Sequence, residues 1–378
     1  MKIAILTWLH NGNYGTVLQA YALQRFLRDQ GYEVNNIDLH PTVVQKVKNL
    51  VKQRNPFNLF KEKFEDMLNR KACLDKEKLN LKNKRIDKFL ADNLCLTRKY
   101  RHFSELKDIS NSYDAYICGS DQIWSPTYFS PSYFFDFVVE SKRKIAYACS
   151  FGVKEIPAQK EMKMRRLIKR FRFISVREQS GVAILKKLIG NQVVVNVDPT
   201  MLLDSASWGN IVADRLIEGE YMFCYFLSYN KCYWEKCIQI ASSLNLKLVF
   251  VPKTKESYSI DGIKFSDAGP AEWVSLIKNA TFVATDSFHG CVFSIIHRRN
   301  FMVFKRFDDN SKESRNTRVY NLLNTYGLQG CLVDNIDSYR PVMISHNEYD
   351  TVIDKVNANA LQSKKWLMNA LGDEKKCK

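Results

Sequence analysis

Several short polar segments in this chain of 378 residues end apolar stretches, and each holds side chains able to do chemistry. In TDSFHG (285–290), Ser287 suits a helix N-cap, His289 falls in the first turn, and Gly290 lets the backbone approach a ligand closely. An imidazole at such a place can hydrogen-bond a phosphoryl or hydroxyl oxygen and shuttle a proton. The same spacing also suits a histidine that only caps a buried turn. In GSDQIW (119–124), Asp121 and Gln122 could bind sugar hydroxyls, with Trp124 as a flat stacking platform. Alternatively Asp121 caps a turn and Trp124 packs.

Arg177, in SVRE, has the planar fork that pairs with a carboxylate or phosphate, or it forms a surface pair with Glu178 that is worth little. Asn13, Tyr14 and Gly15, in NGNYGT, open a helix whose N–H groups can face an anion or a sugar hydroxyl. The G-x-G-x-x-G spacing of a dinucleotide site is missing there, although Asp38 stands where a ribose-binding acid would. A tight strand-to-helix turn explains the same residues. Lys305, Arg306, Arg315 and Arg318 form a basic polar run after an apolar stretch, either a solvated face or a source of cations for a nearby anion.

These segments need elements that bring them together. KIAILTW, then TVLQAYALQRFLRDQG with apolar residues at helical spacing, then YEVNNIDL, reads as strand, helix, strand. A lysine-rich stretch, 42–110, has helical periodicity in NPFNLFKEKFEDML and LKNKRIDKFLADNL and is predicted as a helical insertion. Strands and helices then alternate to Asp198–Pro199, and a second alternating series starts at YMFCYFLSY. The fold class is therefore α/β: two doubly wound, Rossmann-like domains with a cleft between them. The expected bounds are 1–205, 206–345, and a C-terminal helix and tail over 346–378. In such sheets ligands gather outside the carboxyl ends of the strands, where the polar segments fall.

Lys and Arg exceed Asp and Glu by 57 to 40, a net charge of +17 that points to an anionic partner. No nucleic-acid-binding signature accompanies it, so phosphorylated small molecules and an acidic membrane face are the expected partners. No apolar run reaches the ~20 residues of a membrane span. The ten cysteines are scattered, without a CxxC pair or zinc spacing, which suits a reducing cytoplasm and predicts no metal.

Taken in order, NYGTVLQAYAL, GSDQIW, AYACSFG, SVRE…G, VDPT and TDSFHG…FSII…VF resemble the polysaccharide pyruvyl transferase family, from Ile3 to about Leu328. The resemblance implies a GT-B-like fold and transfer of a pyruvyl group from phosphoenolpyruvate to a sugar of a capsule or exopolysaccharide precursor, forming a ketal. Phosphoenolpyruvate would be a co-substrate, with no further cofactor. His289 matches the histidine of the family's S-R-F/L-H-G-like motif, and Arg177 an arginine expected at the donor. Where many relatives have arginine this chain has Ser287, preceded by Asp286, so Lys305, Arg306 or Arg315 must supply the donor's cation.

The resulting expectation places the donor in the second domain at Asp286, Ser287, His289 and Gly290, aided by Arg177. The glycan acceptor, lipid-linked if the protein works at the inner membrane face as a peripheral protein, falls to Asn13, Tyr14, Gly15, Asp121, Gln122 and Trp124, with His289 and Asp121 catalytic. The alternatives are a GT-B glycosyltransferase using a nucleotide sugar and a non-catalytic glycan-assembly protein.

Overall fold

The structure, a computed structural model, describes residues 1–40, 76–190, 193–309, 311 and 314–372. β1 (Lys2–Leu6) is buried from Ile3 onward, and Asn13 caps α1 (Tyr14–Asp29), its side-chain oxygen accepting from the Gly15 N–H at 3.0 Å. Gly31, at φ +82°, turns the chain into β2 (Glu33–Asn36), a backbone that disfavours any side chain.

The first part of the predicted helical insertion, 41–75, lies outside the described residues. α2 (Lys76–Asn93) forms where LKNKRIDKFLADNL predicts it, but the helical reading does not extend further. Residues 95–100 run beside 36–40 through the parallel bridges Asn36↔Leu96 and Leu39↔Tyr100. The backbone beyond β2 needs hydrogen-bond partners, and this strip supplies them.

The first half continues through β3 (Ala115–Cys118), β4 (Arg143–Cys149), α3 (Ala158–Ile168), β5 (Phe173–Val176), α4 (Gln179–Ile189) and β6 (Val194–Val195). After the short α5 (Ser205–Gly209) come β7 (Tyr221–Tyr225), α6 (Lys231–Ser243), β8 (Lys247–Phe250) and β9 (Ile263–Lys264). α7 (Pro270–Lys278), β10 (Phe282–Thr285), α8 (Phe288–Ile296), β11 (Asn300–Phe304), α9 (Thr317–Tyr326), β12 (Leu332–Val333) and α10 (His346–Leu371) complete the chain.

Two parallel six-stranded sheets result, ordered β2-β1-β3-β4-β5-β6 and β12-β11-β10-β7-β8-β9. Both are doubly wound, with different windings. The first has the flavodoxin-like order, which reverses between β1 and β3. The second, read from β9, has the dinucleotide-fold order and reverses between β7 and β10. At a reversal the connecting segments leave toward opposite faces, opening a crevice at the strand ends.

The chain divides into two compact units: the described parts of 1–40, 90–203 and 357–372, and those of 76–89 and 204–356. Successive β1 residues serve two cores of the first unit, Ala4 and Leu6 one, Ile3 and Ile5 the other, as a sheet covered on both faces requires. Leu367, Met368, Ala370 and Leu371 from the last turns of α10 fill the second of these cores. In the other unit β7 and β10 are buried throughout. Each fully buried large apolar side chain there stabilises by ~1.5–3 kcal/mol.

Candidate functional site

The first switch point, between β1 and β3, gathers charge. Asp121, just past β3, adopts φ +63° and ψ −169°. That conformation costs a residue with a side chain about 1–3 kcal/mol and recurs at functional sites. Its carboxylate accepts from Thr16 Oγ1 of α1 at 2.9 Å, and the Arg177 Nη2 lies 3.5 Å away. Arg177 Nη1 donates to Asp198 Oδ2 at 2.7 Å, and its Nε is 3.6 Å from Glu178 Oε2. Hydroxyls complete the cluster: Ser150 donates to Glu178 at 2.7 Å, Thr200 to Asp198 at 2.8 Å, and Ser120 to Asp198 at 3.2 Å.

Burial pulls the Arg177 guanidinium pKa down, but Asp198, Asp121 and Glu178 outweigh it and raise it. The arginine is committed to its own unit's carboxylates, with a side chain only 2% exposed. It is neither the surface partner of Glu178 nor an open phosphate fork. An arginine outnumbered by buried acids repels a further anion and suits hydroxyls or a proton. Asp198 and Glu178 were not chosen as site residues from the sequence, although VDPT and SVRE contain them.

The acceptor residues expected from the sequence are only partly brought to this edge. Asn13 is spent on capping α1, and Tyr14 and Gly15 are buried within that helix. Gln122 is half-buried, packed so closely under Gly152 that a Cβ there would lie 2.6 Å from its Oε1. Trp124 is fully buried, stacked on Phe134 at 5.2 Å with an interplanar angle of 9° and edge-on to Phe171. It is a core residue, because Phe134, Phe151 and Phe171 surround it with apolar surface that an indole fills. The half-buried indole at this edge is Trp8, directly after Thr7 at the end of β1, 5.5 Å from the exposed Tyr128 ring.

The second switch point, between β7 and β10, is organised around one carboxylate. Asp286 accepts from the Leu227 N–H at 2.7 Å, and from the Ser228 N–H and hydroxyl at 3.2 and 2.9 Å, which spans the crevice. Burial raises its pKa, and this outweighs the opposing charge of Arg306 and those hydrogen bonds. Ser287 caps α8, accepting from the Gly290 N–H at 3.4 Å, and is itself tied to Thr285. Gly290 is needed for a contact other than the one foreseen. A Cβ there would sit 2.4 Å from Thr285 Oγ1, so the glycine lets α8 press on its own strand.

His289 is 5% exposed in the first turn of α8, with its ring edge-on to Phe288 at 5.2 Å. Arg318 lies over Phe288, its guanidinium carbon 5.9 Å from the ring centre, while Arg306 and Arg315 lie over Phe307 at 5.2 and 5.7 Å. Lys305 is held by Asp334 at 2.5 Å and by Asp309 at 3.4 Å, and its pKa is raised chiefly by the bond to Asp334. Of the foreseen cations, Arg306 is thus linked to the switch point, whereas Lys305 is paired away. His297, at the other end of α8, bonds Ser205 at 2.8 Å, and burial holds its pKa at about 3.

His10, Asp38 and His40 form the group among the described residues that could hold a metal ion. Asp38 Oδ1 lies 2.6 Å from His10 Nε2 and 2.9 Å from His40 Nε2. Burial, with His10 beside it, lowers the His40 pKa; that of Asp38 is also lowered, because the His10 hydrogen bond and the charges of His10, His40 and Lys99 outweigh burial. Cysteine and histidine spacing does not reveal this group. The available signal was Asp38-Leu39-His40, two ligands on one face of an extended segment. All eight described cysteines are free thiols, and no described helix is long and apolar enough to cross a membrane.

Two Rossmann-like domains, each built on a parallel sheet with a polar cluster at its switch point, define a two-domain α/β protein. The chain belongs to the polysaccharide pyruvyl transferase family, whose model matches residues 13–308, and so to the transferases of polysaccharide biosynthesis. Among solved structures it is similar to UDP-GlcNAc 2-epimerase from Neisseria meningitidis, at 10% identity over 100% of this chain and 94% of that one, with a TM-score of 0.44. UDP-GlcNAc 2-epimerase from Methanocaldococcus jannaschii gives 10% identity over 95% and 100%, with a TM-score of 0.45. E. coli ADP-heptose LPS heptosyltransferase II gives 10% over 96% and 99%, with a TM-score of 0.37. No curated protein matches the chain significantly.

Proposed function

We propose that the protein transfers the pyruvyl group of phosphoenolpyruvate to two hydroxyls of one sugar in a polysaccharide precursor, releasing phosphate and leaving a pyruvate ketal. The observation that carries this reading is the buried His289 at the N-terminus of α8, beside a phenylalanine that seats Arg318, with Arg306 acting on the adjoining Asp286. A helix start and arginines favour a small dianionic donor. These arginines stand in for the cation that Ser287 does not supply.

In the reaction one proton is added to the donor's methylene carbon, and one sugar hydroxyl forms a bond to the neighbouring carbon. The second hydroxyl then replaces phosphate at that carbon, and the remaining proton leaves with the phosphate. His289 handles the proton at the donor, and the guanidinium groups stabilise the departing phosphate. Asp121, strained and hydrogen-bonded to Thr16, takes the proton of the sugar hydroxyl, with the sugar laid against Trp8 and Tyr128. The +17 charge would hold the protein at the inner face of a membrane carrying a lipid-linked acceptor.

The test is labelled phosphoenolpyruvate with extracted lipid-linked oligosaccharide. Phosphate release coupled to pyruvate incorporation is expected, and absence of both would overturn the reading. Thermal stabilisation by UDP- or GDP-sugars but not by phosphoenolpyruvate would move the protein to the nucleotide-sugar glycosyltransferases.

A further inference from the structure

His10 leaves the loop after β1, and Asp38 and His40 follow β2, so two separate segments bring two imidazoles and a carboxylate together at the sheet's edge. The Nε2 atoms of both histidines lie 2.6 and 2.9 Å from the same oxygen of Asp38, and the rings are tilted 34° to one another with centroids 3.4 Å apart. The Asp38–His40 half is held in place from behind. The Asp38 N–H donates to Thr97 Oγ1 at 3.0 Å, the Tyr100 N–H to the Asp38 carbonyl at 2.8 Å, and the His40 N–H to the Tyr100 carbonyl at 2.7 Å.

The three ligand atoms lie within 4.8 Å of one another. A tetrahedral ion with bonds of ~2.1 Å separates its ligands by about 3.4 Å, so small side-chain movements convert the hydrogen-bonded triad into a coordination shell. Side-chain exposures of 16%, 11% and 30% for His10, Asp38 and His40 leave the group reachable from solvent.

We propose that His10, Asp38 and His40 bind one divalent transition-metal ion of the zinc class through two Nε2 atoms and a carboxylate oxygen, keeping a coordination position for water or a ligand oxygen. Two histidines and one carboxylate are the donor set of open rather than closed zinc sites. Bound metal pins the β1–α1 loop to the strip after β2. That loop also carries Asn11, whose side chain donates to Thr16 Oγ1, the partner of Asp121.

The experiment uses the full chain, stripped with chelator, reloaded with Zn2+ and desalted, and needs no transferase activity. About one equivalent of zinc per chain and a higher Tm are expected; retained zinc should fall at least tenfold, and the zinc-dependent rise in Tm should vanish, in His10→Ala, His40→Ala and the isosteric Asp38→Asn. Co2+ should give visible d–d bands of nitrogen and oxygen ligation. No retained metal in the wild-type chain overturns the proposal. So does undiminished retention in a folded variant, or a sulfur-to-cobalt charge-transfer band, which would put the metal on a cysteine such as the exposed Cys232.

Discussion

The two switch points solve the same geometric problem in opposite ways. In the first unit Arg177 is surrounded by Asp121, Glu178 and Asp198, and its charge is used inside the fold. In the second unit backbone N–H groups and a serine satisfy Asp286, so no arginine has to be buried against it. The arginines there lie on aromatic faces instead. A cation set between carboxylates has its charge answered inside the fold, whereas a ring face brings no opposite charge to it. The proposed reaction draws on this difference, with the donor assigned to the unit whose arginines lie on rings and the hydroxyls to the acid-rich unit.

The largest effect expected is on the locked cation. Arg177→Met leaves several buried carboxylates facing one another and should cost about 3–5 kcal/mol, read by urea unfolding. An unchanged midpoint would end the description of a closed network. Comparable in size is Trp124→Ala, at about 3–5 kcal/mol for an emptied core site. Trp8→Ala should leave stability within about 1 kcal/mol and weaken acceptor binding instead. The reverse result would restore Trp124 as the platform.

At the other switch point, His289→Asn should leave the melting temperature nearly unchanged and lower pyruvyl transfer by roughly 10²-fold or more. A smaller rate loss than for Asp286→Asn would shift the chemistry off the helix start. Asp121→Gly removes the strained backbone along with the 2.9 Å hydrogen bond from Thr16 and the long 3.5 Å contact with Arg177. Its stability should stay within about 1 kcal/mol of wild type while transfer falls. A large destabilisation would show that the strain is small.

The last effect appears only as a pH slope. Burial keeps the His297 pKa at about 3, against 6.5 when unfolded. The unfolded chain therefore binds a proton there that the folded chain refuses. The stability from this neutral ring is complete above about pH 6.5 and declines as the pH falls toward 3, at no more than ~1.4 kcal/mol per pH unit. His297→Gln should flatten urea midpoints between pH 6.5 and 4 by one proton's worth.

Strand-forming apolar runs, helical spacing and the glycine-marked turns made both α/β units readable, because parallel strands buried on two faces leave long hydrophobic stretches in the chain. The places of Asp121 and His289 in the fold were legible for a related reason: each lies in the short polar segment that follows such a stretch, at the strand's carboxyl end. Trp124 was misjudged because a polar neighbourhood in sequence says nothing about which way an indole turns. Gly290 was recognised as a close approach, but its partner proved to be Thr285 rather than a ligand.

The sequence by itself determined the alternation of elements, the excess positive charge, the family motifs and the positions where polar groups end each strand. All of these are properties of near neighbours or of the whole composition. Only the tertiary structure decided which strands lie side by side, and with that the two switch points. The meetings of Arg177 with Asp198 and of His10 with Asp38 and His40 join residues 21 to 30 positions apart, and neither pair's spacing carries a local signal. Such contacts depend on crossover order, which no short stretch of chain encodes.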